Sequence, residues 1–170
     1  MPSSTKRDII HSFLYLVGKK QIDKITVRDI VDDCGVNRNT FYYYFQDIYA
    51  VLEELCENTL ARLPEQGALH EVLGTFYRLI LAFCEKYPHA AKSLALSLGF
   101  EGVERYFAPG IDEAIRSACE RSGSFLSNDT ELRMIRHATM GLCLDALRDP
   151  KHLTESSLEL EEFLRKLPLR

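Results

Sequence analysis

Asn37, Arg38, Asn39 and Thr40 stand side by side and are followed at once by Phe41, Tyr42, Tyr43, Tyr44 and Phe45. Amides, a guanidinium and a hydroxyl are the groups that hydrogen-bond to base edges in a DNA groove. Phenol hydroxyls donate to phosphates, and their rings tolerate a surface that is half dry. Successive helical residues point about 100° apart, so five aromatics in a row must cover more than one face. Phe41 and Phe45 are four apart and share one side, which we assign to a core. Tyr42, Tyr43 and Tyr44 are then left near the surface, beside a polar tip. The pattern describes non-covalent recognition of a polyanion. A plain helical bundle, with all five aromatics as core and rim, would not need the Asn-Arg-Asn-Thr that precedes them.

Covalent chemistry finds little support. The chain contains no GxGxxG, GxxxxGK[ST], HExxH or GxSxG pattern. Its histidines, at 11, 70, 89, 137 and 152, show no helical pairing with a second ligand, and its five cysteines form no CxxC pair. We therefore expect no catalytic residues, no metal and no cofactor, with the thiols reduced, buried and inert. The 170 residues are 46 % apolar and 27 % charged, which suits one well-cored domain or a small module joined to a larger one. Apolar runs are too short to span a bilayer, and the first residues lack the apolar core of a signal peptide, so a cytoplasmic location is expected. Net charge is −4, made of +1 in residues 1–50 and −5 in the remainder. Charge alone selects no partner.

The polar tip must be held by helices. Ile9, Ile10, Phe13, Leu14 and Val17 make one apolar helical face, closed by Gly18 and two lysines. Thr26 with Asp29 three residues on is the pattern of a capping box, and Val27, Ile30 and Val31 give the short helix that follows its buried side. Gly35 falls where a helix turns left-handed and stops. Asn37 then caps a third helix, from Arg38 to about Tyr44, and Asp47 caps a fourth. Two short helices joined by a tight glycine turn describe a helix-turn-helix, whose second helix enters the major groove.

From about Thr5 to Leu55 the sequence resembles the TetR (tetracycline-repressor) family of bacterial transcription regulators. The likeness is carried by "ITVRDIVDDCGVNRNTFYYYFQDIYAVLEEL": a Thr-capped helix, Gly-Val, a polar tip, Thr, aromatic, Tyr, and a Phe-containing turn. The resemblance implies a DNA-binding domain of three helices, residues 1–47, joined to an all-helical effector-binding and dimerisation domain, residues 48–170. It also implies that Thr26 and Arg28 lie against DNA backbone or base, that Asn37, Arg38, Asn39 and Thr40 face the groove, and that Tyr42 and Tyr43 touch phosphates. Tyr44 stands where the family often has His, and Ile48 where it often has Lys. Loss of that cation removes one phosphate contact. "FQDIY" is similar to a short branch that includes dihydroxyacetone-kinase operon activators, one type of which works through a protein partner.

The remaining residues predict helices from Asp47 to about Leu63, Leu69 to Lys86, Ala90 to Leu98, a segment from Val103 to Cys119 kinked at Pro109-Gly110, Asp129 to Leu147, and Thr154 to Leu167. The fold class is all-α, with about nine helices. Leu132, Ile135, Thr139, Leu142 and Ala146 step by three and four along one helix, and Leu160, Phe163, Leu164 and Leu167 along the last. These are the expected dimer surface. Ala138 and Gly141 are small enough to let another helix come close. An effector pocket is expected among Phe76, Tyr77, Phe83, Tyr106, Phe107 and His137.

The expected function is a DNA-binding transcriptional regulator, a repressor, that holds a palindromic operator as a homodimer and is modulated by a small ligand. The alternative is a co-regulator of the same build acting chiefly through a protein partner. Double-stranded DNA, a second copy of the chain and a small, mostly apolar effector are the expected partners, with no membrane.

Overall fold

The computed structural model describes residues 4–121 and 128–149, together with Glu162, Arg165 and Lys166. Every regular element among them is helical. In order they are α1 (Ser4–Val17), a single 3-10 turn (Ile22–Lys24), α2 (Val27–Cys34), α3 (Arg38–Tyr44), α4 (Ile48–Leu60), α5 (Leu69–Lys86), α6 (Pro88–Arg121) and α7 (Asp129–Arg148). No helix among the described residues is long and apolar enough to cross a membrane.

The first four helices end where their local hydrogen bonds dictate. Thr26 accepts from the Asp29 amide at 3.2 Å, while Asp29 accepts from the Thr26 amide at 2.7 Å. That reciprocal pair satisfies two otherwise orphan donors at the start of α2. Gly35 stops α2 with φ 70°, in the left-handed region that a side chain disfavours. Asn37 Oδ1 then accepts from the Thr40 amide at 2.8 Å, and Asp47 Oδ1 from the amides of Tyr49 and Ala50 at 2.8 and 2.9 Å. Each cap spans at most three residues, so each is decided by neighbours in the chain.

One continuous cluster of buried side chains runs through the whole subunit. Ile9, Phe13 and Val17 of α1, Ile30 of α2, and Phe41 and Phe45 around α3 are all buried. Ser12 stitches α1 to α2 by donating to the Ile30 carbonyl at 3.2 Å. Ile48, Val51 and Leu52 carry the core into α4, which packs against α1, α5 and α6. A salt bridge from Lys6 to Glu54, 2.7 Å, ties α1 to α4 as well.

Two expectations change here. The helix expected to break at Pro109-Gly110 runs through both residues, and its one non-helical position is Gly99, with φ 60° and ψ −167°. Proline at 109 forfeits a single backbone hydrogen bond, which packing against α4 and α7 offsets. Gly110 matters for a different reason: a methyl there would sit 2.5 Å from Leu60 Cδ1, so α4 and α6 approach closely at that point. The segments expected at Ala90–Leu98 and Val103–Cys119 thus become two arms of one element. Seven α-helices are present among the described residues instead of about nine, and of the last expected helix, Thr154 to Leu167, only Glu162, Arg165 and Lys166 are described, all three helical.

Candidate nucleic-acid interface and internal cavity

On α3 the aromatic run divides as its spacing requires. Phe41 and Phe45 point inward with ring centroids 5.9 Å apart. Tyr42 and Tyr43 are exposed, at 47 % and 81 %, and Tyr44 is half-buried against Tyr43 with centroids 4.9 Å apart. Asn37, Arg38 and Asn39 are exposed, and Thr40 is half-buried. Two of the expected base-facing groups also have duties within the fold. Asn37 Oδ1 is the helix cap and accepts from the Thr40 hydroxyl too, at 3.1 Å. Thr26, expected against DNA, spends its hydroxyl on Asp29, donating to Oδ2 at 2.7 Å.

Several basic residues near the first four helices have a carboxylate close by. Lys20 lies 2.9 Å from Asp29, Lys24 3.5 Å from Asp23, and Arg28 3.4 Å from Asp32. The Lys20 hydrogen bond, helped by those from Thr26, lowers the Asp29 pKa to about 2. Arg28 is 85 % exposed and loosely held, free to turn from its carboxylate toward a phosphate. Arg38 differs from these. It has no carboxylate partner among the described residues and instead donates to the Tyr42 hydroxyl at 3.3 Å. Its guanidinium thus stands on the exposed side of α3 without a carboxylate beside it among the described residues.

An apolar pocket of about 70 Å³, partly open to solvent, lies between α4 and the middle helices. α4 supplies Leu52, Leu55, Cys56 and Thr59. α6 supplies Leu94, Leu98, Val103, Tyr106 and Phe107, with Phe83 of α5 and Leu147 of α7 completing the wall. Of the six residues expected here, Phe83, Tyr106 and Phe107 line it. Phe76 and Tyr77 do not: both are fully buried packing residues, Phe76 stacking edge-on against Phe107 at 5.2 Å. His137 is corrected outright. It sits at the surface, 3.0 Å from Glu104 and edge-on to Phe100 at 5.6 Å. The α4 residues were missed because their stripe reads as ordinary core, and no local signal says that part of it faces a void.

The dimer expectation needs a similar correction. Leu132, Ile135, Thr139 and Ala146 are buried inside the subunit, where α7 packs on α5 and α6, and Leu142 is half-buried. Cys84 of α5 donates to the Ala146 carbonyl at 3.5 Å, a contact that holds this end of the seam against the subunit's own helices. α7 is apolar on two sides, and its bulkier side satisfies its own core. The outward side carries Met134, 68 % exposed, with Ala138, Gly141 and Asp145. Leu160, Phe163, Leu164 and Leu167 lie outside the described residues.

With that geometry in place, similarity to known proteins becomes informative. Residues 14–55 match the model of the family described as bacterial regulatory proteins, tetR family. Over 75 residues the chain is 32 % identical to the uncharacterized HTH-type transcriptional regulator YvdT of Bacillus subtilis (strain 168), an overlap of 41 % of this chain and 39 % of that protein. It is 28 % identical over 58 residues to the uncharacterized HTH-type transcriptional regulator YxbF of the same strain, covering 34 % of this chain and 15 % of the relative. The match thus spans well under half the length of these curated relatives. Among solved structures, the fatty acid degradation regulator FadR from Bacillus halodurans aligns over 100 % of both chains, with TM-score 0.67 and 18 % identity. The dihydroxyacetone kinase operon activator DhaS aligns over 93 % of this chain and 94 % of its own, with TM-score 0.63 and 18 % identity. At those identities the likeness is one of fold.

Proposed function

Because the chain carries the N-terminal domain of the tetR family of bacterial regulatory proteins, we propose that it is a repressor that binds a palindromic operator as a homodimer and is released by a small ligand. Residues 1–47 act as the DNA-binding unit and residues 48–170 as the effector and dimerisation unit. The observation that carries this is the construction of α3. Phe41 and Phe45 anchor it, while Arg38, flanked by exposed Asn37 and Asn39, projects without a neutralising carboxylate. Such a tip reads base edges, and Tyr42, Tyr43 and Tyr44 brace the helix on the sugar-phosphate backbone. Arg28 joins them by exchanging Asp32 for a phosphate. Thr26 and Thr40 act through the caps that aim the two helices.

Dimerisation uses the outward side of α7, where Ala138 and Gly141 let a second helix approach and Met134 covers the joint. A two-fold pair would set two copies of α3 about 34 Å apart, one helical turn of DNA. Ligand control follows from the walls of the cavity. Its volume, about 70 Å³, is under half of the roughly 150 Å³ void that holds benzene, so an effector of ordinary size that is fully taken up parts those walls. α4 is one wall, and its first turn shares the core with Phe41 and Phe45. Displacing α4 tilts α3 relative to its two-fold mate and weakens operator binding.

A mobility shift against the promoter region of the protein's own gene, at several salt concentrations, tests the proposal. The expected outcome is sequence-specific binding by a dimer that weakens as salt rises. Binding that is indifferent to sequence would sink it. One observation favours the alternative of a protein-directed co-regulator: Lys6, Lys20, Lys24 and Arg28, four of the seven basic residues in 1–50, have carboxylate partners among the described residues. That alternative predicts no retardation of any duplex at physiological salt.

A further inference from the structure

The cavity between α4 and α6 also limits what can enter it. Its wall offers leucine, valine and phenylalanine side chains and three groups with polar character, those of Thr59, Tyr106 and Cys56. No Lys, Arg, His, Asp or Glu lines it among the described residues. The Thr59 hydroxyl already donates to the Leu55 carbonyl at 2.9 Å, so toward a ligand it offers lone pairs. Tyr106 offers a phenol, and Cys56 stays a neutral thiol, burial pushing it up to about 12. A carboxylate placed here would meet no cation, and an ammonium no anion. Buried charge without a partner is strongly disfavoured.

We propose that the cavity takes an uncharged, largely apolar molecule with one hydroxyl or carbonyl group at most, and rejects the carboxylate and ammonium forms of the same skeleton. The hydroxyl of such a molecule donates to Thr59 Oγ1 or exchanges a hydrogen bond with Tyr106, while the rest fills the space among Leu55, Leu94, Leu98 and Phe107. This rests on the reading of the cavity as the effector site, and it separates this chain from regulators that respond to acids.

The test uses the full chain and four probes that share one ethylphenyl skeleton: ethylbenzene, 4-ethylphenol, 4-ethylbenzoate and 4-ethylbenzylammonium. Calorimetric titration is expected to show binding of the two neutral probes, with both charged probes weaker by roughly 100-fold or more. Thr59→Val and Tyr106→Phe, which preserve shape, are expected to weaken 4-ethylphenol by about 5- to 10-fold between them and to leave ethylbenzene unchanged. Leu55→Phe and Leu98→Phe plug the cavity from opposite walls, so that a folded example of either is expected to lose both neutral probes. Equal binding of 4-ethylbenzoate or 4-ethylbenzylammonium would overturn the proposal, as would failure of every probe to bind. Operator retardation with each probe separates this result from the effector reading. If 4-ethylphenol binds but the operator stays bound, the ligand class stands and the effector role falls. If 4-ethylbenzoate binds and releases the operator, the role stands and the class falls.

Discussion

The Arg38 guanidinium donates to the Tyr42 hydroxyl one turn along α3, at 3.3 Å, and lies 5.6 Å from the centre of that ring. The pair is exposed on both sides, and its members are the residues assigned to base reading and to phosphate contact. The tyrosine hydroxyl therefore limits where the guanidinium can point. Arg38→Ala is expected to weaken operator binding by about 1–3 kcal/mol. Tyr42→Phe should cost less, about 0.5–1.5 kcal/mol, and part of that loss should vanish when Arg38 is already alanine. Fluorescence anisotropy on the four members of the double-mutant cycle gives the coupling directly. Strict additivity would show that the contact has no role in recognition.

Gly35 sets the angle between α2 and α3. Its φ is 70°, and a methyl added there would meet nothing within 4 Å. The cost of Gly35→Ala is thus conformational and not steric, about 1–2 kcal/mol of folding stability by urea denaturation. Gly35→Asn should cost less, because asparagine visits the left-handed region more readily.

Asp29 links stability to pH. Its pKa in the folded protein is lowered from 3.8 to about 2, first by the Lys20 hydrogen bond and then by Thr26. A lowered carboxylate pKa stabilises the fold above the unfolded value and loses that contribution as pH falls through the folded value. The stability difference between the parent protein and Asp29→Asn should therefore be constant above about pH 5 and shrink between pH 4 and pH 2. Denaturant titrations of both proteins across that window provide the check. A difference that grows on acidification would contradict the assignment.

The two sides of α7 should respond differently to substitution. Ala138 is exposed and Thr139 is buried. Ala138→Arg is expected to convert a dimer to a monomer in sedimentation velocity while the melting temperature of the subunit barely moves. Thr139→Arg should instead lower stability by several kcal/mol, since it forces a charge into the packing of α7 on α5 and α6. If Ala138→Arg remains dimeric, the second copy docks elsewhere.

Much of the first four helices was decided by the chain's local order. The Thr26–Asp29 box, the glycine turn at 35 and the caps at Asn37 and Asp47 each span three residues or fewer, so their hydrogen bonds follow from adjacent residue types. The inward Phe41 and Phe45 follow from helical periodicity alone. What the chain could not decide by itself was which apolar side of α7 turns inward, whether α6 continues through Pro109, and which leucines of α4 face a void. Those outcomes depend on how closely helices far apart in sequence can approach. Leu60 meeting Gly110, and Cys84 meeting the Ala146 carbonyl, are contacts across 50 and 62 positions. No periodicity within one helix carries that information, because burial of a stripe is settled by the partner that covers it.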